Sequence, residues 1–162
     1  RRFGRTGEGQ GEFDEPRGLC FTADGHLVVA DSGNHRVQIL REDGTFVRAF
    51  GSYGSGEGQI DFPLEVCGMP DGSIAVLDWG FQRVQVFGRD GGFVRSIGSC
   101  GDGPGQFVRP EISVAGGGQI IVSDEVQQRV QVFSGEGELL QIIGAGGDSD
   151  VDLNGVRGVA TD

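Results

Sequence analysis

Short apolar runs alternate with glycine-containing turns along nearly the whole chain. In the first stretch the runs occupy residues 18–22, 26–30, 36–41 and 45–50. Asp24-Gly25 and Asp43-Gly44 separate pairs of runs, and Asp-Gly is a strong hairpin signal because both residues tolerate positive φ. Val28-Val29 is apolar on successive residues, as expected for a strand that is buried on both faces. The pattern predicts an all-β chain of four-stranded antiparallel sheets without helices.

This four-run unit occurs three times at a nearly fixed spacing. Asp31, Asp78 and Asp124 lie 47 and 46 residues apart, and Arg36, Arg83 and Arg129 keep the same spacing. Four strands in such a period are typical of one β-propeller blade, whose repeats run to roughly 40–50 residues. We therefore expect blades at 17–51, 64–98 and 111–144, with the end of a preceding blade at 1–4 and the start of another at 156–162.

One copy of the unit carries a family signature. The segment from Asp31 to Leu40 reads DSGNHRVQIL and resembles the signature of NHL repeats, and the other two copies are degenerate versions of it. The resemblance covers nearly the whole chain and implies NHL propeller blades, which usually close into a ring of about six. Because three blades cannot close a ring, we expect part of a larger propeller, and the first residue, Arg1, fits a piece of a longer or processed protein. The alternative is self-association of copies through the open blade faces.

The recurring aspartate–arginine pairs are expected to be structural. In each unit the aspartate ends the second strand and the arginine begins the third, so the two face each other across one loop. Charge-assisted hydrogen bonds between them would hold that loop. Recurrence in every blade favours a scaffold role, since an active site is needed only once. The residues are Asp31 with Arg36, Asp78 with Arg83, and Asp124 with Arg129.

The charge of the chain narrows the choice of partner. Its formal net charge is −11, and all 13 basic residues are arginine. Such a chain is repelled by phosphate backbones, which disfavours nucleic-acid binding, and it departs from the basic surface of RNA-binding NHL domains. A protein partner with a basic or mixed surface fits better. Three cysteines without a C-x-x-C pair are expected to be free thiols and favour an intracellular compartment, and no apolar run is long enough to span a membrane.

The sequence assigns no catalytic residue, metal or cofactor. A catalytic metal site needs several convergent ligands, and the two histidines, His26 and His35, belong to opposite ends of a blade. Some NHL-like propellers are lyases or lactone hydrolases with a metal in the central channel. On the first strands of these blades only Glu65 and Glu111 offer acidic ligands. An enzyme completed by further blades stays an alternative.

The best binding candidate is the face on which the inter-blade links and the loops between second and third strands emerge, since loops on a rigid scaffold usually carry recognition. Trp79 and Phe81 stand where the first copy has Ser32 and Asn34, and exposed aromatics and arginines dominate protein interfaces. Alternatively, both aromatics fold onto the neighbouring blade. The candidate residues are Arg17, Asn34, His35, Tyr53, Trp79, Phe81, Arg109 and Arg157.

These residues predict a non-catalytic protein-interaction platform that uses the loop face of an NHL propeller. The resemblance extends to the NHL arrays of tripartite-motif ubiquitin ligases, in which the array chooses the substrate. It therefore implies the substrate-recognition part of a ligase-like protein. Two alternative functions remain: the propeller enzyme and an RNA-binding NHL module.

Overall fold

A computed structural model describes residues 3–144 of the chain. The end of a preceding blade expected at 1–4 is therefore described only at Phe3 and Gly4. The strand expected at 156–162, and with it Arg157, lies outside the described residues. Within residues 3–144 no helix is long and apolar enough to cross a membrane.

The described chain forms three four-stranded antiparallel sheets joined by glycine-rich links. A two-residue parallel pair, β1 (Arg5–Thr6) with β2 (Glu12–Phe13), precedes the first sheet. That sheet contains β3 (Pro16–Phe21), β4 (Leu27–Asp31), β5 (Arg36–Leu40) and β6 (Phe46–Phe50). The second contains β7 (Pro63–Gly68), β8 (Ile74–Asp78), β9 (Arg83–Phe87) and β10 (Phe93–Ile97). A second parallel pair, β11 (Ser99–Cys100) with β12 (Gln106–Phe107), leads to β13 (Pro110–Val114), β14 (Ile120–Asp124), β15 (Arg129–Phe133) and β16 (Leu139–Gly144).

Each sheet keeps its strands in chain order, so its first and fourth strands are its edges. The first strands pack side by side, β3 on β7 and β7 on β13, and therefore line one common side of the array. Pro16, Pro63 and Pro110 begin these strands. Proline lacks the N–H that a central strand needs, so an edge strand is where it fits.

The hydrophobic core lies between neighbouring sheets. Val28 and Val37 of the first sheet face Ile74, Val76 and Phe87 of the second in one buried cluster. The other face of the second sheet packs on the third in an equivalent cluster that holds Ala75, Leu77, Val84, Ile120 and Val122. Both faces of a middle sheet are thus buried, which accounts for apolar residues on successive strand positions.

The predicted fold class is confirmed: the described chain is all-β, with sheets of four antiparallel strands. The expectation of no helix needs one correction, because Ser32–Asn34 form a single 3-10 turn in the loop between β4 and β5. The short parallel pairs in the links are a feature that the apolar pattern does not indicate. They occur in the first and third links, where each link loops round so that its beginning lies beside its end.

Candidate interaction site

A buried polar clamp ties each glycine-rich link to the blade that follows it. In the second blade Asp78 is fully buried, and its carboxylate accepts hydrogen bonds from Arg83 Nε at 2.8 Å, Gln85 Nε2 at 3.2 Å and the Asp61 amide at 2.9 Å. Arg83 also donates to the carbonyls of Gly56 and Gln59 in the link. Burial raises the pKa of Asp78, and the hydrogen bonds from Arg83 and Asp61 oppose that shift. The repeated residues therefore fix the link, and with it the loop face.

The first blade has the same clamp. Asp31 accepts from Arg36 Nε at 2.7 Å, from Gln38 Nε2 at 2.9 Å and from the Asp14 amide at 2.8 Å. Gln38 also donates to the carbonyl of Glu12, as Gln85 does to that of Gln59. The buried glutamine therefore belongs to the motif together with the aspartate and the arginine, because it binds both the aspartate and the link.

The third blade departs from the expected aspartate–arginine pairing. Asp124 turns toward its own loop and accepts from the amides of Val126 and Gln127, and it still accepts from the amide of Val108. Arg129 donates instead to the carbonyls of Gly103 and Gln106. Its buried Nε has no hydrogen-bond partner among the residues that the structure describes. Because the loop amides occupy the carboxylate, the third arginine holds the link without the ion pair.

The loop between β4 and β5 of the first blade also forms hydrogen bonds with the end of the second link. Ser32 Oγ donates to the carbonyl of Pro63, and the Phe62 amide donates to Nδ1 of His35 at 3.2 Å. Asp61 Oδ1 lies 3.1 Å from the same nitrogen. The second link is therefore hydrogen-bonded on one side to the clamp of its own blade and on the other side to the loop of the first blade. Between these contacts Phe62 has a φ of 55°, in the left-handed region.

Phe62 in this position helps to form a recess on the loop face, which we call the loop-face recess. It has a volume of about 390 Å³ and opens to solvent. The lining residues are Arg17, Phe62, Leu64, Trp79, Arg109, Pro110, Glu111 and Glu125. Three predicted binding residues, Arg17, Trp79 and Arg109, thus meet here although they come from three different repeats.

The recess combines an aromatic floor with charges of both signs. The rings of Phe62 and Trp79 meet edge to face with centroids 6.3 Å apart. The guanidinium carbon of Arg17 lies 5.7 Å from the centroid of Phe62, within cation–π range. Arg109 lies 3.4 Å from Glu125 in an ion pair, and Trp79 is 43% exposed. Aromatic and arginine side chains that stay partly exposed are typical of interface hot spots.

Beside the recess, Glu65 links the first strands of two blades. Its carboxylate accepts the amide of Ile112 at 2.5 Å, across the gap between β7 and β13. Burial raises the pKa of Glu65, the Ile112 hydrogen bond opposes this, and the nearby Glu111 adds to the increase. Glu65 is therefore engaged in holding the blades together. Within residues 3–144 no three histidine, cysteine, aspartate or glutamate side chains are grouped to hold a metal ion.

The other candidate binding residues lie elsewhere on the loop face. Asn34 donates to the carbonyl of Gly7 and to Asp31, so it belongs to the clamp of the first link. Tyr53 is 67% exposed and its ring contacts the ring of His35 edge to face. Phe81 is half-buried, with the guanidinium of Arg83 5.3 Å from its centroid, and it does not line the loop-face recess.

Phe62 and Leu64 line the loop-face recess but were not among the binding residues predicted from the sequence. Both lie next to Pro63, in or just after a link that looked like a glycine-rich connection. A signal was present, because the residue before the recurring proline is Glu15, Phe62 and Arg109 in the three repeats. Phe62 is the only aromatic residue at these three positions, so the second repeat differs from the other two there, as it also does at Trp79.

The geometry defines a class of protein: an array of propeller-type blades with an open recess on the loop face. Residues 13–40 match the family model described as NHL repeat. The chain thus contains one segment that matches an NHL repeat, followed by two further copies of the same four-stranded unit.

Curated relatives match the chain over one repeat. Protein lin-41 of Caenorhabditis elegans is 47% identical over 45 residues, 28% of this chain and 4% of that protein. Protein brain tumor of Drosophila melanogaster is 42% identical over 45 residues, again 28% of this chain and 4% of that protein. E3 ubiquitin-protein ligase TRIM71 of Xenopus tropicalis is 43% identical over 44 residues, 27% of this chain and 5% of that protein. The matches therefore span a small part of each relative.

Solved structures share the fold at low sequence identity. A streptogramin B lyase superposes with a TM-score of 0.60 at 16% identity, over 77% of this chain and 39% of its own. The structure of U3-55K gives a TM-score of 0.64 at 14% identity, over 88% of this chain and 41% of its own. At such identities the likeness shows the β-propeller fold alone.

Proposed function

We propose that this chain is a non-catalytic protein-interaction module that binds a segment of its partner in the loop-face recess. The observation that carries the proposal is the convergence of Arg17 and Trp79 on the ring of Phe62, in a recess that Arg109 also lines. Each comes from a different repeat, so within residues 3–144 this combination of side chains occurs once although the blades are repeated. A single, asymmetric recess on a repeated scaffold is what recognition of one partner requires.

The chemistry of the recess indicates the kind of partner. Phe62, Leu64, Trp79 and Pro110 offer an apolar seat for an aromatic or aliphatic anchor. Two arginines and two glutamates surround that seat, so the bound segment carries charges of both signs near its anchor. The net charge of −11 on the whole chain favours a partner surface that is basic or mixed.

The relatives suggest where such a module works. TRIM71 of Xenopus tropicalis is named an E3 ubiquitin-protein ligase, and its similarity to this chain spans one repeat. Substrate recognition for a ligase-like protein is therefore the setting that we propose. Free Cys20, Cys67 and Cys100 fit an intracellular compartment. Burial raises the pKa of Cys67 to about 12 and that of Cys20 to about 11, so both remain thiols at neutral pH.

The outward faces of the first and third blades are a separate surface. Leu19 and Phe21 of the first blade are 64% and 59% exposed. Val130 and Val132 of the third are half-buried, whereas Val37 and Ile39, their equivalents in the first blade, are buried against the second. Further blades of a six-bladed ring would cover these faces, and a second copy of the chain is the alternative.

The affinity of peptides selected against the chain tests the recess. Peptides from a random library are selected on the 162-residue chain, and their Kd is measured for wild type and for the double variant F62A/W79A. We expect the double variant to lose at least about tenfold in affinity, because truncating a hot-spot aromatic costs about 2 kcal/mol or more.

Y53A is the matched control, since Tyr53 is an exposed aromatic on the same face but outside the recess. Its peptide affinity should stay within about twofold of wild type. The proposal fails if F62A/W79A binds the peptides as tightly as wild type, or if Y53A loses as much affinity. Saturable binding of single-stranded RNA that weakens steeply with salt would support an RNA-binding module in its place.

A further inference from the structure

A second recess lies at the opposite end of the blades, between the first and second sheets. Its volume is about 90 Å³, and its apolar floor is formed by Ile39, Val47 and Ile74. A cavity needs roughly 10–15 Å³ to hold a water molecule, so this space admits a small polyatomic group. The polar residues that line it are Thr22, Asp24, His26, Arg48 and Arg89. We call this space the inter-blade cleft.

The basic groups of the inter-blade cleft are held in place by the protein. Arg48 Nη1 donates to the carbonyl of Arg89 at 3.2 Å, and among the described residues no carboxylate pairs with Arg48. The remaining N–H groups of Arg48 are thus available at the cleft. Asp24 Oδ1 lies 3.2 Å from His26 Nδ1, and Asp24 Oδ2 lies 3.8 Å from Arg89 Nη2. Hydrogen bonds from Thr22 and His26 lower the pKa of Asp24 to about 2, so this carboxylate stays ionised and orients both neighbours.

The repeat supplies an internal comparison. The equivalent position between the second and third sheets has Met69 for Thr22, Ser73 for His26 and Gly135 for Arg89. There Arg95, the equivalent of Arg48, donates to the carbonyl of Gly135 and forms an ion pair with Glu136 at 2.9 Å.

The charge balance therefore differs between the two positions. The inter-blade cleft sets two arginines against one aspartate, whereas the second position sets one arginine against Asp71 and Glu136. A positive cleft stands out on a chain whose net charge is −11. The difference arises from substitutions at equivalent positions, so it does not follow from the fold itself.

We propose that the inter-blade cleft binds a phosphate monoester or inorganic phosphate, an oxyanion held by Arg48 and Arg89. Such a group carries about −1.5 to −2 charges at neutral pH and offers three strong acceptor oxygens. The planar guanidinium of arginine matches two of these oxygens at once. Asp24 orients the ring of His26 beside the two arginines, and the apolar floor limits competition from water.

Titration with inorganic phosphate and with a glycine pentapeptide that carries one central phosphoserine tests the proposal. Heat and amide chemical shifts are followed at constant ionic strength, because screening weakens charge interactions. We expect saturable binding with a Kd on the order of 1 mM or tighter. Shift changes should centre on Arg48, Gly72 and Arg89. Similar affinity for both probes identifies the free anion as the ligand, and clearly tighter peptide binding identifies a phosphorylated protein segment.

Two variants and one matched control make the result decisive. R48Q and R89Q should each weaken phosphate binding by about tenfold or more, since each removes a charge-assisted contact. R89Q is expected to fold like the wild type, because the Arg89 side chain is 67% exposed, so a loss of binding in this variant cannot be attributed to misfolding. R95Q, at the equivalent position of the next blade pair, should leave the affinity within about twofold. Absence of saturable binding, equal binding of the unphosphorylated peptide, or an equal loss in R95Q would overturn the proposal.

Discussion

Replacing Asp78 with alanine is expected to lower the free energy of unfolding by about 3–5 kcal/mol, the cost of breaking a buried ion pair by removing one partner. Asp78 is fully buried and accepts from Arg83, Gln85 and the amide of Asp61. The variant leaves a guanidinium and a buried amide without their acceptor. Chemical denaturation with urea, followed by circular dichroism, measures the change.

Asp90, in the hairpin between β9 and β10, provides the control for this prediction. It is exposed and accepts one hydrogen bond from the amide of Gly92 in a hairpin turn, so D90A should cost about 1 kcal/mol or less. If D78A does not fold at all, D78N keeps an acceptor of the same shape and should remain measurable between D78A and wild type. A loss in D78A no larger than that in D90A would contradict a clamp role for the motif.

Replacing Phe107 with alanine is expected to cost about 3–5 kcal/mol, because the change removes a large buried side chain and leaves a cavity. Phe107 is fully buried between the second and third blades, where its ring meets that of Phe133 with centroids 5.9 Å apart. The backbone of Gly98 packs against the ring so closely that a Cβ there would overlap it. The site therefore has little freedom to collapse around the missing ring.

A phenylalanine on the surface gives the matched comparison. Phe21 is 59% exposed on the outward face of the first blade, and F21A should cost less than about 1 kcal/mol. Thermal or urea unfolding of both variants under the same conditions measures the difference. Similar losses for F107A and F21A would mean that the second and third blades do not pack on each other through Phe107.

The repeat explains why the fold could be predicted from the sequence. Residues that recur at one spacing are expected to have equivalent environments, so Asp31 with Arg36 and Asp78 with Arg83 indicated one loop geometry. The strands follow from apolar runs between hairpin turns, and their bounds differ from the expected ones by one or two residues. The third pair was predicted in the same way, but the loop amides after Asp124 take the place of Arg129.

The recess could be predicted only in part, because it forms between repeats. Arg17, Trp79 and Arg109 stood out by residue type and loop position, whereas their proximity depends on how three blades stack. Phe62 looked like part of a connection, and its position depends on His35 and Asp78 from two different blades. The inter-blade cleft was missed for the same reason, since Arg48 and Arg89 lie 41 residues apart in the chain.

The proposed binding in the loop-face recess is tested most directly by mapping where a selected peptide binds on the 162-residue chain, using amide chemical-shift changes. The largest changes should cluster at the loop-face recess, at Arg17, Leu64, Trp79 and Arg109, while Tyr53 and the inter-blade cleft remain nearly unchanged. Changes centred on the outward blade faces around Phe21 or Val132, with the recess unaffected, would contradict it.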